Sequence, residues 1–201
     1  MTTTTPQPNN SAPAGANTNT RPGAGARGQQ GQGGRPQGRR RNVTRYGTQM
    51  REKQDLKAIY GIRDGQLRTY FKRAMKAKGE TGPVLIGILE SRLDNSVFRA
   101  GFAQTRPQAR QMVSHAFFLV NGKKVDVPSF MLKEGDVVSI KESKREKSYF
   151  SSFDKRLQNV RTPSWITPTI NEFSFTFSAK PVVEEANIGV DMRAVVEFFA
   201  R

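Results

Sequence analysis

The chain has 201 residues, with 33 Lys and Arg against 17 Asp and Glu, for a formal charge of +16 and an isoelectric point near 10.7; such an excess of cations points to a polyanionic partner, because a free compact protein would only lose stability by self-repulsion. With no Cys, a disulfide framework and a thiolate zinc site are excluded, and a single His weakens most metal and triad chemistry. No stretch approaches the roughly 18 to 20 apolar residues of a membrane span and the polar start lacks the apolar core of a signal peptide, so the expectation is a soluble, intracellular protein without cofactor or metal.

Residues 1–42 carry only Met1, Ala12, Ala14, Ala16, Ala24 and Ala26 as apolar residues, too few to offset the entropy of ordering, and are expected to be disordered. Their charges are Arg21, Arg27, Arg35, Arg39, Arg40 and Arg41, with no acid before Glu52. This segment is either a solubilising tail or a flexible cationic arm, and counterion release onto phosphates favours the arm.

A helix is expected from Gln49 to Tyr60, ending at Gly61, and a second from Gln66 to Ala77, stopping at Gly79. The second places Leu67, Tyr70, Phe71, Ala74 and Met75 on one arc and Arg68, Lys72, Arg73 and Lys76 on the other, with no carboxylate among them. Lys53 and Lys57 lie four apart on the first. A third helix is expected from Thr81, with Pro83 in its first turn, through to Ala100, with Arg92 and Arg99 along one flank.

Thr105-Arg106-Pro107-Gln108 has the pattern of a capping box, opening a helix to Ser114 that sets Arg106, Arg110 and Ser114 on one arc. Its start is suited to a phosphate; Thr105 and Gln108 serve equally well as hydrogen-bonding groups for a polyanion or as caps. His115, at the helix end, is either a dipole partner or a contact to that polyanion. From Ala116 the pattern changes to strands. Phe117–Val120, Asn121-Gly122 and Lys123–Val125 read as a hairpin with a type I′ turn, placing Lys123 and Lys124 just past the tip, and Val137–Ile140 returns as a further strand. Lys141–Arg161 reads as a cationic loop followed by a helix, Trp165 as a packing anchor, Phe173, Phe175 and Phe177 as one half-buried strand, and Val195–Phe199 as a short buried strand or tail docking on the N-terminal helices.

The run Leu89-Glu90-Ser91-Arg92-Leu93-Asp94-Asn95, followed by Arg99-Ala100-Gly101-Phe102, Thr105 to His115 and Val120-Asn121-Gly122-Lys123, closely resembles the S-four RNA-binding module. With Tyr46-Gly47, Arg51-Glu52-Lys53-Gln54 and Ile59-Tyr60-Gly61 upstream and Pro163-Ser164-Trp165 and Val196-Glu197-Phe198-Phe199 downstream, the chain resembles the bacterial-type S-four family of small-subunit ribosomal proteins from about Arg45 to Arg201. The resemblance implies an α+β fold: a disordered tail over 1–44, a helical subdomain over 45–88 and 156–201, and an inserted module of two helices against a small antiparallel sheet over 89–155. It also implies direct binding of small-subunit ribosomal RNA, nucleation of five-prime domain assembly, and a place beside proteins of the S-five and S-three types where decoding accuracy is affected. The RNA-binding residues expected are Arg51, Lys53, Lys57, Arg68, Lys72, Lys76, Arg92, Arg99, Arg106, Arg110, Ser114, His115, Lys123 and Lys124. An enzyme reading, in which the module accompanies a catalytic domain such as a pseudouridine synthase, finds no paired carboxylates or nucleophile constellation in the chain. A regulatory RNA binder or an adaptor for acidic proteins is the other alternative.

Overall fold

The computed structural model describes residues 44–145, 150 and 160–200; the expected disordered tail, and most of the expected helix after Lys141, lie outside the described residues. Helix α1 (Arg45–Tyr60) starts four residues earlier than expected because Thr44 caps it, its hydroxyl accepting from the Gly47 amide at 3.1 Å. It stops at Gly61, which takes φ 60°. There the amides of Gly61 and Ile62 bond back to Ala58 and Lys57, a left-handed termination that glycine adopts without a Cβ penalty. Helix α2 (Asp64–Lys76) follows, with Gln66 Oε1 accepting from the Arg63 amide.

The expected single helix over 81–100 is two: α3 (Thr81–Glu90) and α4 (Leu93–Arg99). The break lies at Ser91-Arg92, where Arg92 is extended and bridges to Met131. Leu93 N–H donates to Phe130 O and Leu132 N–H to Ser91 O, both at 2.8 Å. The loop thus supplies the partners that a continuous helix would have supplied internally, and apolar periodicity cannot register that substitution.

Helix α5 (Arg106–Ser114) begins at Thr105, whose hydroxyl accepts from the Gln108 amide, while Gln108 Oε1 takes the amide of Gln104. Strands β1 (Phe118–Val120) and β2 (Lys123–Lys124) form the expected hairpin. Asn121 and Gly122 have φ 49° and 77°, as a type I′ turn requires. With β3 (Val137–Ile140), β4 (Ile166–Thr169) and β5 (Ser174–Phe177) they make an antiparallel sheet in the order β2-β1-β3-β5-β4. Edge strand β4 accommodates Pro168, and edge strand β2 consists of two lysines, both features that suit a sheet edge. Phe175 and Phe177 point into the core, but Phe173 lies outside the strand at φ 51°. A four-residue helix α6 (Glu142–Arg145) follows β3, and another, α7 (Val183–Ala186), precedes the C-terminal helix α8 (Met192–Phe199).

The last of these corrects the expectation of a strand or tail at Val195–Phe199. Asp191 caps the helix by accepting from the amides of Arg193 and Ala194. Val195 is fully buried against α1, α2 and α3, and Phe199 stacks on Phe71 at 4.7 Å. Two cores result. One packs α4 and α5 on the sheet around Val97, Met112, Phe118, Trp165 and Phe175; the other gathers Leu56, Leu67, Phe71, Leu85 and Leu89 with α8. Helix α3 serves both, with Ile86 in the first and Leu85 and Leu89 in the second, which explains why it is apolar nearly all round. Within 156–201, β4, β5 and Trp165 pack with β1 and β3, whereas Ile188, Val190 and α8 pack on the core of the N-terminal helices.

Nothing stands within 4 Å of where a Cβ would sit on Gly61, so Gly61→Ala would act through backbone strain alone. We predict a loss of about 1 kcal/mol in urea unfolding, the cost of a left-handed alanine.

Candidate nucleic-acid interface

The cations sort by whether the protein supplies their anion. Arg92 is fully buried. Its Nε and Nη2 donate to Asp94 at 3.0 and 2.6 Å and its Nη1 to the Tyr70 hydroxyl at 2.5 Å. Burial acts against its charge, but the bonds and charge of Asp94 prevail and hold its pKa above the ordinary value. Arg99 is similar: Nε and Nη2 donate to Glu90 at 3.0 and 2.7 Å, and Nη2 also reaches the Ala186 carbonyl. Lys53 is buried too, paired with Asp64 at 3.0 Å beneath the Phe198 ring. Of these three expected RNA ligands, Arg92 is enclosed with Asp94, Arg99 is partly exposed beside the buried Glu90, and Lys53 is buried against the partly exposed Asp64, so each has a carboxylate of its own chain. Removing that carboxylate strands a buried charge: Asp94→Ala should cost roughly 3–5 kcal/mol, read by thermal and chemical denaturation.

Glu90 is the centre of the other interior cluster. Fully buried, it accepts from the Tyr60 hydroxyl at 2.7 Å, from Arg99 and, by a short bond, from Asn95 Nδ2. Burial first, then the charge of Glu90, pushes the Tyr60 phenol far up, so it remains a donor.

Arg106 and Arg110 differ from these. Among the described residues neither makes an ion pair. Arg106 Nε donates to Asn95 Oδ1 at 2.8 Å, and its guanidinium lies 4.5 Å from the Phe98 ring centroid and 5.2 Å from that of Tyr60. Arg110 Nη1 donates to the Gly61 carbonyl at 2.7 Å. Together with Tyr60, Gly61, Asp94, Asn95 and Pro107 they line a cleft of about 120 Å³ at the start of α5. Burial draws Arg106 below the ordinary guanidinium value. It is a partly desolvated cation held by neutral groups, the state that an incoming anion relieves.

The remaining expected ligands are surface groups. Arg51, Lys72, Lys76, Ser114, His115 and Lys123 are exposed; Lys124 is exposed and lies 3.6 Å from Asp126. His115 is the C-cap of α5. Lys57 and Arg68 both approach Asp64, at 3.5 and 3.2 Å, so one carboxylate on α2 interrupts the basic surface expected to be free of acids. Arg73, absent from the expected ligands, is exposed beside Lys72 and Lys76 and belongs with them by its place on the same helical arc. Asn95, Tyr60 and Phe98 were also missed, since nothing in their spacing announces that they surround Arg106.

The hydrogen bond from Lys53, aided by Arg68 and Lys57, holds Asp64 below the usual carboxylate range. A depressed folded-state pKa contributes stability above the unfolded value that disappears as pH falls through the folded one. Asp64→Asn should therefore be less stable than wild type at neutral pH, with the difference in melting temperature closing below about pH 4.

Two family models match the chain: the "Ribosomal protein S4/S9 N-terminal domain" over residues 14–90 and the "S4 domain" over residues 91–138. Among relatives, the small ribosomal subunit protein uS4 of Sulfurihydrogenibium is 43% identical over 171 residues, covering 85% of this chain and 83% of its own. Those of Herpetosiphon aurantiacus and Clostridium tetani are each 41% identical, covering 81% of this chain and 78% of their own. Helices packed on a small antiparallel sheet, over the residues that match the S4 domain, define a protein built on that domain, and its ribosomal relatives make it a structural, non-enzymatic one. The match extends through the flanking helices as well: the chain belongs to the uS4 family of small ribosomal subunit proteins.

Proposed function

We propose that the chain binds small-subunit ribosomal RNA directly through a surface centred on Arg106 and Arg110 and extended by Lys72, Arg73 and Lys76. The observation that carries this reading is the pair of ordered guanidinium groups at the α5 N-terminus without a carboxylate partner among the described residues. Structured RNA is recognised largely by shape, with cations on rigid elements reaching phosphates and 2′-hydroxyls, and base reading is not required. Family resemblance supports the wider role: nucleation of five-prime domain assembly in the cytoplasmic small subunit, contact with proteins of the S-five and S-three types, and an influence on decoding accuracy near the messenger entry region. The expected division into a helical subdomain and an S-four module is retained as part of this reading, with β4 and β5 assigned to the module's sheet.

Arg106→Gln with Arg110→Gln should abolish tight binding to a transcript of the five-prime domain while leaving the circular dichroism spectrum unchanged. The salt dependence of any residual binding should fall in slope by roughly 1.5, the share of two phosphate contacts. Unchanged affinity in a filter-binding titration would refute the surface. Deleting residues 1–42, with their six arginines, should lower affinity modestly and flatten the same plot, and an equal slope would make the arm a bystander.

A further inference from the structure

We infer that Asn95 is a positioning residue for RNA binding, transmitting the orientation of the buried Glu90 carboxylate to the Arg106 guanidinium. The inference rests on the reading of Arg106 as a phosphate ligand and adds to it the group that aims it.

An amide side chain has one accepting and one donating end, and its environment decides which way it faces. Asn95 is 2% exposed. On one side lies Glu90, committed as an acceptor by Arg99 and Tyr60. Only the NH2 of Asn95 is compatible with that carboxylate, and Nδ2 donates to Glu90 Oε2 and approaches the Glu90 carbonyl at 3.4 Å. Oδ1 is thereby forced to the other side, where it accepts from Arg106 Nε at 2.8 Å. Bonded through Nε alone, the guanidinium keeps its end-on edge, formed by Nη1 and Nη2, clear of that acceptor. The Phe98 and Tyr60 rings flank the guanidinium at 4.5 and 5.2 Å, restricting its tilt. The Nη edge of Arg106 is left for the cleft it shares with Arg110.

A neutral acceptor is the chemically suitable choice for this place. A carboxylate there would neutralise Arg106, as Asp94 does Arg92, and would stand against Glu90. Asn95 fixes the direction of the cation without cancelling its charge.

The test is a double-mutant cycle on the full chain, with a transcript of the small-subunit ribosomal RNA five-prime domain as probe. Asn95→Ser keeps a hydroxyl donor near Glu90 but withdraws the acceptor from Arg106. It should weaken binding roughly five- to tenfold, as loss of a hydrogen bond to a charged group does, with no change in salt slope because no charge is removed. In an Arg106→Gln background the same substitution should change affinity less than about twofold, since its effect runs through Arg106. The Arg106 Nε–H resonance should also be sharp in wild type and exchange-broadened in Asn95→Ser. Should Asn95→Ser fold poorly, Arg106→Lys supplies the second arm: it keeps the charge, lacks the Nε bond, and should lose affinity to the same extent as Asn95→Ser. Equal losses from Asn95→Ser in both backgrounds, or none in wild type, would overturn the positioning role while leaving the Arg106 site intact. An Arg106→Gln protein of wild-type affinity would overturn the site and the inference with it.

Discussion

One buried carboxylate organises the junction between the two cores. Glu90 ends α3, the helix whose faces are shared between them, and it receives Tyr60 from α1 and Asn95 and Arg99 from α4. Isolated in an apolar interior, such a charge would cost several kcal/mol or shift to its neutral form. It is tolerated because each donor arrives from a different direction with its geometry already fixed by a helix. The requirement is mutual. Arg99 loses its anion if Glu90 goes, and Arg99 also holds the Ala186 carbonyl of α7. The relative placement of the N-terminal helices, the sheet-bearing part and the segment leading to α8 is therefore written into one set of hydrogen bonds, which excludes any sliding of one core across the other without breaking several at once.

The same network explains how a protein with so large a positive charge keeps only part of it available. Side-chain type does not decide this; the nearest carboxylate and the degree of enclosure do. Arg92 immediately precedes α4 and Arg106 opens α5, and both are withdrawn from bulk water. The first has Asp94 in a two-point clasp, whereas the second has Asn95 at the corresponding distance. A bidentate carboxylate satisfies a guanidinium and removes it from external chemistry; a neutral amide satisfies one N–H and leaves the charge. Asp64 plays the intermediate part at the surface, where its interactions with Lys57 and Arg68 are solvent-screened and compatible with exchange for a phosphate.

Much of this architecture was legible in the residues, because it depends on local rules. Asn121-Gly122 specifies its turn through φ, Thr105 specifies a helix start through one hydroxyl, and Gly61 ends α1 for want of a Cβ. What sequence could not reveal arises from partners remote in the chain. The break after Glu90 exists because residues 128–132 supply hydrogen bonds to the exposed backbone, and once the helix is broken Arg92 turns inward beside Asp94 rather than continuing along the flank with Arg99. The burial of Arg92 therefore follows from the same break that the periodicity missed. For α8, the run of β-branched and aromatic residues suggested a strand, yet the Asp191 cap and a buried face against α1 and α3 outweigh propensity. The burial of Lys53 was hidden for a related reason: its ring partner, Phe198, sits on that unrecognised helix.

The order imposed on Arg106 bears on how tightly a folded polyanion can be held. A surface arginine loses substantial rotamer freedom when it binds, and that loss opposes affinity. Here the bond to Asn95 and the flanking rings restrict the side chain during folding, so little further ordering is required on contact. Lys72, Lys76 and Lys123, long, exposed and without an ion pair among the described residues, lack that restraint. They suit long-range attraction and accommodation to an irregular backbone, functions that depend on charge more than on direction. The arrangement pairs a rigid reference point with a compliant cationic surround. On the proposed reading, the rigid point would set the register in which a folded RNA is held, and the surround would hasten its arrival.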